Sequence, residues 1–168
     1  EVSIRSLSAL FGVLSIGMMY VVGQQLFGEK VGLLSSFLMA VSEFQIQHSQ
    51  EARFYSLFVL LTLVSVYCYI RASRTKQSRA WVISSLVNII LFYTHTYAVF
   101  VFAVEYIHYL IYWKSNKDTL VQWGISQVVI VLAIVAGFVP MLVEGSVGGL
   151  GSGLAWITVP SIRDLFAT

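Results

Sequence analysis

The residues of this sequence whose types could do chemistry are concentrated in one short stretch, HSQEARFYS, at positions 48–56. It contains an imidazole, a carboxylate, a guanidinium and a phenol, carried by His48, Glu51, Arg53 and Tyr55. A guanidinium presents a planar fork of N–H donors that fits a phosphate. The stretch lies between two strongly apolar runs, LLSSFLMAV and LFVLLTLVSVYCYI. These residue types at such a boundary predict phosphate binding at a membrane surface; the alternative is ordinary interfacial residues at a helix end.

The composition places this stretch in an integral membrane protein. Of the 168 residues 58% are hydrophobic and only 11% are charged, whereas soluble domains carry about 25% charged residues. The net charge of +2, without a basic cluster interleaved with aromatic residues, excludes nucleic acid as a partner. The single cysteine, Cys68, lies in an apolar run, so it predicts a space-filling thiol and no disulfide framework.

Apolar segments predict an all-α fold, a polytopic transmembrane bundle of about six membrane helices. The segments are roughly 7–27, 31–44, 54–71, 80–94, 96–113 and 120–140. A membrane-spanning helix needs about 20 residues, so the second segment is short, and it either spans or dips into the membrane. The fourth and fifth segments form one continuous stretch whose single helix would measure ~50 Å. We therefore predict a tight turn near Thr94, His95 and Thr96.

The distribution of basic residues predicts which side each loop faces. Lys and Arg concentrate in cytoplasmic loops, and the basic residues of this chain cluster in the segments 27–30, 71–79 and 113–118. With these segments inside, Arg5, Arg53 and Arg163 lie outside. The polar stretch 48–56 then faces outward.

The same topology predicts a single transmembrane domain over 1–168 that continues a longer architecture. Because residues 1–5 lie outside, we expect a membrane helix that enters from the cytoplasm before Glu1. At the other end, the composition of 144–168 predicts an outer Gly-rich loop and a following segment.

The polar segment 41–56 is moderately amphipathic, as expected for an interfacial helix. A helix that starts near Ser49 would place Glu51 in its first turn, where the helix dipole favours an acid. Glu51 and Tyr55, four residues apart, would then share one face.

The stretch Gln50-Glu51-Ala52-Arg53-Phe54-Tyr55 resembles the Q-E-A-R-x-Y signature of GT-C superfold membrane glycosyltransferases. The resemblance is to the branch of the protein mannosyltransferases and the aminoarabinose transferases, similar to glycosyltransferase family 39. Flanking motifs agree in order and position: RSLSALFG at 5–12, LFG at 26–28, YTH at 93–95 and WITVPSIRDL at 156–165.

This resemblance implies an enzyme that transfers a sugar from a polyprenyl-phosphate-linked donor to a lipid, glycan or protein acceptor. The reaction would occur at the outer face of a multi-pass membrane protein, with the plasma membrane as its location. The family's catalytic Asp belongs to the first outer loop, so we expect it upstream of Glu1 and assign no catalytic residue here. The implied substrate-binding residues are Arg53 on the lipid phosphate, with Glu51, Tyr55, Arg5 and His95 around it.

Two features leave alternatives open at this point. His48 is either a further ligand or an interfacial residue. Some GT-C enzymes need a divalent cation, but no His, Asp or Glu cluster here has ligand spacing, so we predict no metal site.

A secondary transporter or flippase, and a non-catalytic membrane scaffold or pseudoenzyme, are the competing functions. The transporter hypothesis draws on Glu105 and His108, three residues apart in the fifth segment, because an acid inside a membrane helix often serves a proton relay. The alternative is that the two side chains simply hydrogen-bond each other across one helical turn.

Overall fold

The computed structural model describes residues 2–51 and 54–147, and in these ranges the chain is helical, without a β-strand. The helices are α1 (Val2–Phe27), α2 (Glu29–Ala40), α3 (Glu43–Gln50), α4 (Tyr55–Thr75), α5 (Ser78–Thr94), α6 (Ala98–Ile111) and α7 (Leu120–Val147), with a 3-10 turn at Lys117–Thr119. The chain divides into two units, 1–131 and 132–168. The second unit includes the last part of α7, and all contacts described below belong to the first.

Three helices in the described part of the chain are long and apolar enough to cross a membrane: Arg5–Phe27, Tyr55–Thr75 and Lys117–Gly137. The apolar helices α5 and α6 have 17 and 14 residues, at or below the lower limit of about 17 for a span. Helix α2 has 12 residues and measures ~18 Å, too short for a ~30 Å hydrocarbon core. The all-α fold is confirmed, and three of the predicted six membrane helices have spanning length among the described residues.

The turn predicted near residue 95 is confirmed. Helix α5 ends at Thr94, His95 has an extended backbone with φ −160° and ψ 135°, and α6 begins at Ala98. The predicted end of the sixth segment at Pro140 is wrong, because α7 continues through it to Val147. Membrane helices tolerate proline, since neighbouring groups can satisfy the carbonyl it leaves unpaired.

The start of the predicted outer loop 144–168 is therefore helical as far as Val147. The rest of that loop lies outside the described residues. So do the motif WITVPSIRDL and Arg163.

Helices α1 and α2 form a tight hairpin because glycines let their backbones approach. Gly28 joins the two helices with φ +94°, a conformation that side chains rarely adopt. A Cβ on Gly23 would lie 2.9 Å from the Gly32 Cα, and one on Gly32 would lie 2.8 Å from the Tyr20 carbonyl oxygen. Small residues at such crossings permit close packing in membranes, so this hairpin fixes α2 against α1.

Aromatic side chains hold α4, α5 and α6 together at the end of the bundle that contains the basic segments, hereafter the basic end. Tyr69, Trp81 and Tyr109 belong to one buried cluster. Trp123 stacks on Tyr109 with ring centroids 4.1 Å apart and an interplanar angle of 4°. The Tyr109 hydroxyl donates to the Asn116 carbonyl oxygen at 3.0 Å. The basic end is thus a packed core, and the polar stretch of the sequence lies at the opposite end.

Candidate functional site

The polar stretch 48–56 is divided between two helices, not carried by one. Helix α3 ends at Gln50, and Glu51 follows it with φ −79° and ψ 137°. The prediction of a helix beginning near Ser49 is therefore wrong, because the backbone leaves the helical conformation at Glu51. Glu51 lies after the carboxyl end of α3, where the helix dipole does not favour an acid. Glu43 occupies the first turn of α3 instead.

Helix α3 is seated directly on α1 through a glycine. A Cβ on Gly12 would collide with the side chain of Ser49, lying 2.8 Å from its Cβ. The Ser49 hydroxyl is turned along its own helix and donates to the Gln45 carbonyl oxygen at 2.7 Å. The absence of a side chain at Gly12 thus sets the position of α3 and of the polar residues that end it.

His48 connects the end of α3 with the start of α4. Its ring lies 4.2 Å from the Phe44 ring and 4.9 Å from the Tyr55 ring, measured between centroids. Its Nδ1 lies 3.5 Å from Glu51 Oε2, which is too long for a good hydrogen bond. The structure therefore places His48 among the predicted site residues. Its main contacts are the packing of its ring against Phe44 and Tyr55.

His95 joins this assembly from the turn between α5 and α6. Its ring lies 5.0 Å from Phe54 and 5.4 Å from Phe58, and Phe54 in turn lies 4.6 Å from Tyr55. The backbone N–H of Tyr97 donates to His95 Nδ1 at 3.1 Å. Because Nδ1 accepts, the proton of the neutral ring lies on Nε2, which leaves a donor on the far side of the ring.

We call His48, Glu51, Phe54, Tyr55 and His95 the outer group. Three of its members were predicted site residues, and His48 was an open alternative. The sequence reasoning missed Phe54 as the link between His95 and Tyr55. Its place inside the Q-E-A-R-x-Y motif was the available signal.

The two arginines are placed differently. Arg5 is exposed on α1, seven residues or ~10 Å of helix before Gly12. Within the described ranges no hydrogen bond, ion pair or ring contact joins Arg5 to the outer group. Arg53 lies outside the described residues, so its role stays a prediction.

Several buried polar atoms near the outer group lack a hydrogen-bond partner among the described residues. They are His48 Nδ1, Gln45 Nε2, Ser56 Oγ and Thr62 Oγ1. Gln45 and Ser56 are only 6% and 1% exposed. Because buried polar groups in proteins are nearly always hydrogen-bonded, these atoms can serve as partners for a ligand or for water.

An apolar cavity of about 580 Å³ adjoins the outer group, between α1, α2, α3 and α4. Phe44 and Phe58 line it. The Phe44 ring also contacts His48, and the Phe58 ring also contacts His95. Two of the unpaired polar groups, on Gln45 and Thr62, belong to its wall. The arrangement suits a molecule with a long apolar part and a polar end.

Glu105 and His108 do not pair with each other, contrary to one of the two predicted possibilities. Glu105 is hydrogen-bonded to Ser65 at 2.8 Å and to Asn88 at 2.9 Å. His108 Nδ1 lies 2.9 Å from the Tyr69 hydroxyl. Both side chains reach partners on neighbouring helices, which replace the contact across one turn.

The described residues do not fit a divalent cation site. In the ranges 2–51 and 54–147 no group of three or more His, Cys, Asp and Glu side chains could hold a metal ion. His48 and Glu51 alone supply two ligands, and magnesium or calcium needs about six.

Comparison with known proteins gives one family. The family model of the dolichyl-phosphate-mannose-protein mannosyltransferases matches residues 1–143, which include α1 to α6 and most of α7. No curated protein and no solved structure gives a significant match.

Proposed function

The chain belongs to the dolichyl-phosphate-mannose-protein mannosyltransferase family, and on that premise we propose that it transfers a sugar from a polyprenyl-phosphate-linked donor. As a member of this family it is a GT-C-type membrane glycosyltransferase. The acceptor we propose is a lipid, glycan or protein at the outer membrane face, and the transferred sugar is a mannose-like hexose. The observation that carries the proposal is the apolar cavity whose lining residues Phe44 and Phe58 contact His48 and His95 of the outer group.

The cavity supports a lipid-linked donor in a specific way. Lipid tails are as apolar as the cavity wall, so moving a polyprenyl chain from the bilayer into it gains little hydrophobic free energy. The cavity would therefore orient the donor more than attract it. With the tail along Phe58 and Phe44, the phosphate would lie beside His48 and His95.

In this proposal the phosphate end is held by the motif residues. Arg53, covalently bonded to Phe54 of the outer group, makes the bidentate contact with the phosphate. Transfer breaks the bond between the anomeric carbon and the phosphate oxygen, and negative charge grows on that oxygen. A guanidinium beside it stabilises the developing charge, and Arg5 is a second ligand for the same phosphate.

Glu51, Tyr55 and His95 line the space around the sugar. The Nε2–H of His95 is free of the bond that Tyr97 makes to Nδ1, so it can donate to a sugar or phosphate oxygen. Glu51 is 35% exposed and can accept from sugar hydroxyls.

We propose a multi-pass topology with about six crossings in a plasma membrane, in which α2, too short to cross alone, returns the chain to the outer side together with α3. The basic end faces the cytoplasm, following the concentration of Lys and Arg there. The short helices α5 and α6 then form a hairpin that reaches the outer side at His95. Residues 1–168 form one transmembrane domain in this proposal, and the segment after α7 lies outside.

Substitution of Arg53 tests the function directly. Arg53→Ala and Arg53→Lys are compared in membranes that contain the full-length protein, supplied with polyprenyl-phosphate mannose, and released polyprenyl phosphate is measured. We expect a loss of release of at least tenfold for Arg53→Ala and partial activity for Arg53→Lys. Arg79→Ala, at the basic end, is the control and should release normally.

The possible outcomes separate the hypotheses. Normal release by Arg53→Ala would remove this residue from the phosphate site. Failure of the unsubstituted protein to release any polyprenyl phosphate would favour the scaffold alternative. The transporter alternative drew on Glu105, whose carboxyl group is hydrogen-bonded to Ser65 and Asn88 on neighbouring helices, an arrangement typical of a structural contact.

A further inference from the structure

A closed triangle of polar side chains lies in the apolar middle of helices α4, α5 and α6. Ser65 on α4, Asn88 on α5 and Glu105 on α6 are 0%, 2% and 6% exposed. Ser65 Oγ contacts Asn88 Oδ1 and lies 2.8 Å from Glu105 Oε1. Asn88 Nδ2 donates to Glu105 Oε2 at 2.9 Å. Each member thus contacts both of the others.

The number of hydrogens available determines how this triangle can close. Three contacts need three hydrogens, one in each. The serine hydroxyl supplies one, and the asparagine amide supplies one, because only its nitrogen donates and that nitrogen takes part in one of the three contacts. Exchanging the amide oxygen and nitrogen of Asn88 leaves the count unchanged. The third hydrogen must come from Glu105, so all three bonds form only when this residue is a carboxylic acid.

The ionised form has no compensating positive charge among the described residues, only the hydrogen bonds of Ser65 and Asn88. Among residues 2–51 and 54–147 no Lys, Arg or His nitrogen lies within ion-pair distance of the Glu105 carboxylate. The titratable neighbours on α4 are Cys68 and Tyr69, both of which are uncharged near neutral pH. On α6, the His108 ring is hydrogen-bonded to the Tyr69 hydroxyl and not to Glu105. A bare carboxylate in a membrane interior costs several kcal/mol.

We propose that Ser65, Asn88 and Glu105 form a proton-holding site in which Glu105 is a carboxylic acid that ties three helices together. The site acts as a positioning device for the outer group. Ser65 is ten residues along α4 from Tyr55, and Asn88 is seven residues along α5 from His95, or ~15 Å and ~10 Å of helix. This proposal does not depend on which lipid-linked sugar donor the protein uses.

Infrared difference spectroscopy of the full-length protein in lipid membranes tests the protonation directly. A protonated carboxyl group has a carbonyl stretch above the amide band, which shifts down in D₂O. We expect that band at neutral pH, its loss in Glu105→Gln, and its retention in the control Glu29→Gln at the exposed start of α2. Absence of the band, or its survival in Glu105→Gln, would overturn the proposal.

A second variant keeps the test decisive if Glu105→Gln does not fold. Ser65→Ala removes one hydrogen-bond partner of the acid, so the carbonyl band should move to higher frequency. An unmoved band would contradict the triangle.

The positioning role has its own readout. Glu105→Ala should lower both the thermal stability and the polyprenyl phosphate release, because it opens the triangle. Glu105→Gln should retain both the thermal stability and the release, since an amide can donate to Ser65 and accept from Asn88. If Glu105→Ala and Glu105→Gln lose the same amount of stability and release, the positioning role is excluded. The infrared measurement does not use the sugar donor, so its result stands even if the proposed donor is wrong.

Discussion

The imidazole ring of His48 lies 4.9 Å from the phenol ring of Tyr55, across the break that separates α3 from α4. The contact joins an eight-residue helix lying on α1 to the start of a helix of spanning length. Glu51, whose carboxylate lies 3.5 Å from the same imidazole, belongs to the break itself. The outer group is therefore held by ring packing at a place where the backbone is not helical.

Replacing His48 distinguishes ring packing from imidazole chemistry. We expect His48→Phe to keep most of the sugar transfer, because a phenyl ring can maintain the contacts with Phe44 and Tyr55. His48→Ala should lose up to about tenfold, since each aromatic pair contributes ~0.5–1.5 kcal/mol. Polyprenyl phosphate release in membranes measures both variants. If His48→Phe is as impaired as His48→Ala, a ring nitrogen takes part in the reaction.

The seating of α3 on α1 predicts that Gly12 tolerates no side chain. Gly12→Val would push Ser49 and α3 away from α1, at a cost of ~1–3 kcal/mol for overpacking, and should reduce sugar transfer with it. Gly17→Val on the same helix is the matched control, because a Cβ there meets nothing within 4 Å. Thermal unfolding in detergent and polyprenyl phosphate release measure the two effects. Equal stability of the two variants would contradict the close packing of α1 and α3.

Hydrophobic segments of the sequence predicted the helices well, because an apolar run in a membrane protein has few alternatives to a helix. Length alone located the turn at His95 without any glycine or proline to mark it. The helix end expected at Pro140 was wrong because membrane helices tolerate a proline that would end a helix in a soluble protein.

The outer group was only partly predictable. Motif residues identified Glu51, Tyr55 and His95, but no periodicity in the segment 41–56 indicates that the helix stops at Gln50. Ring contacts made by Phe54 and Phe58, like the triangle around Glu105, depend on tertiary packing between helices far apart in sequence. Spacing along one helix suggested a Glu105–His108 pair, and partners on α4 and α5 replaced it.

The topology can be tested by cysteine labelling, because the chain has one native cysteine to remove. In a Cys68→Ala background, Tyr97→Cys and Ser115→Cys place thiols at exposed positions on either side of α6. We expect a membrane-impermeant maleimide to label Tyr97→Cys in intact cells and Ser115→Cys only after permeabilisation. Labelling of both from the same side would show that α6 does not cross the membrane. The number of crossings would then be lower than the proposed count of about six.

The apolar cavity beside the outer group can be filled without touching the proposed phosphate ligands. Val59 lines it on α4, and Val59→Trp would place an indole where the polyprenyl chain of the donor is proposed to lie. We expect the KM for polyprenyl-phosphate mannose to rise about tenfold, equivalent to ~1.4 kcal/mol of lost binding, while kcat changes little. Val104→Trp on α6, at a residue 65% exposed, is the matched control and should leave the KM unchanged. An unchanged KM in a folded Val59→Trp protein would mean that the lipid tail binds elsewhere, whereas a fall in kcat alone would mean that the indole disturbs the outer group through Phe58.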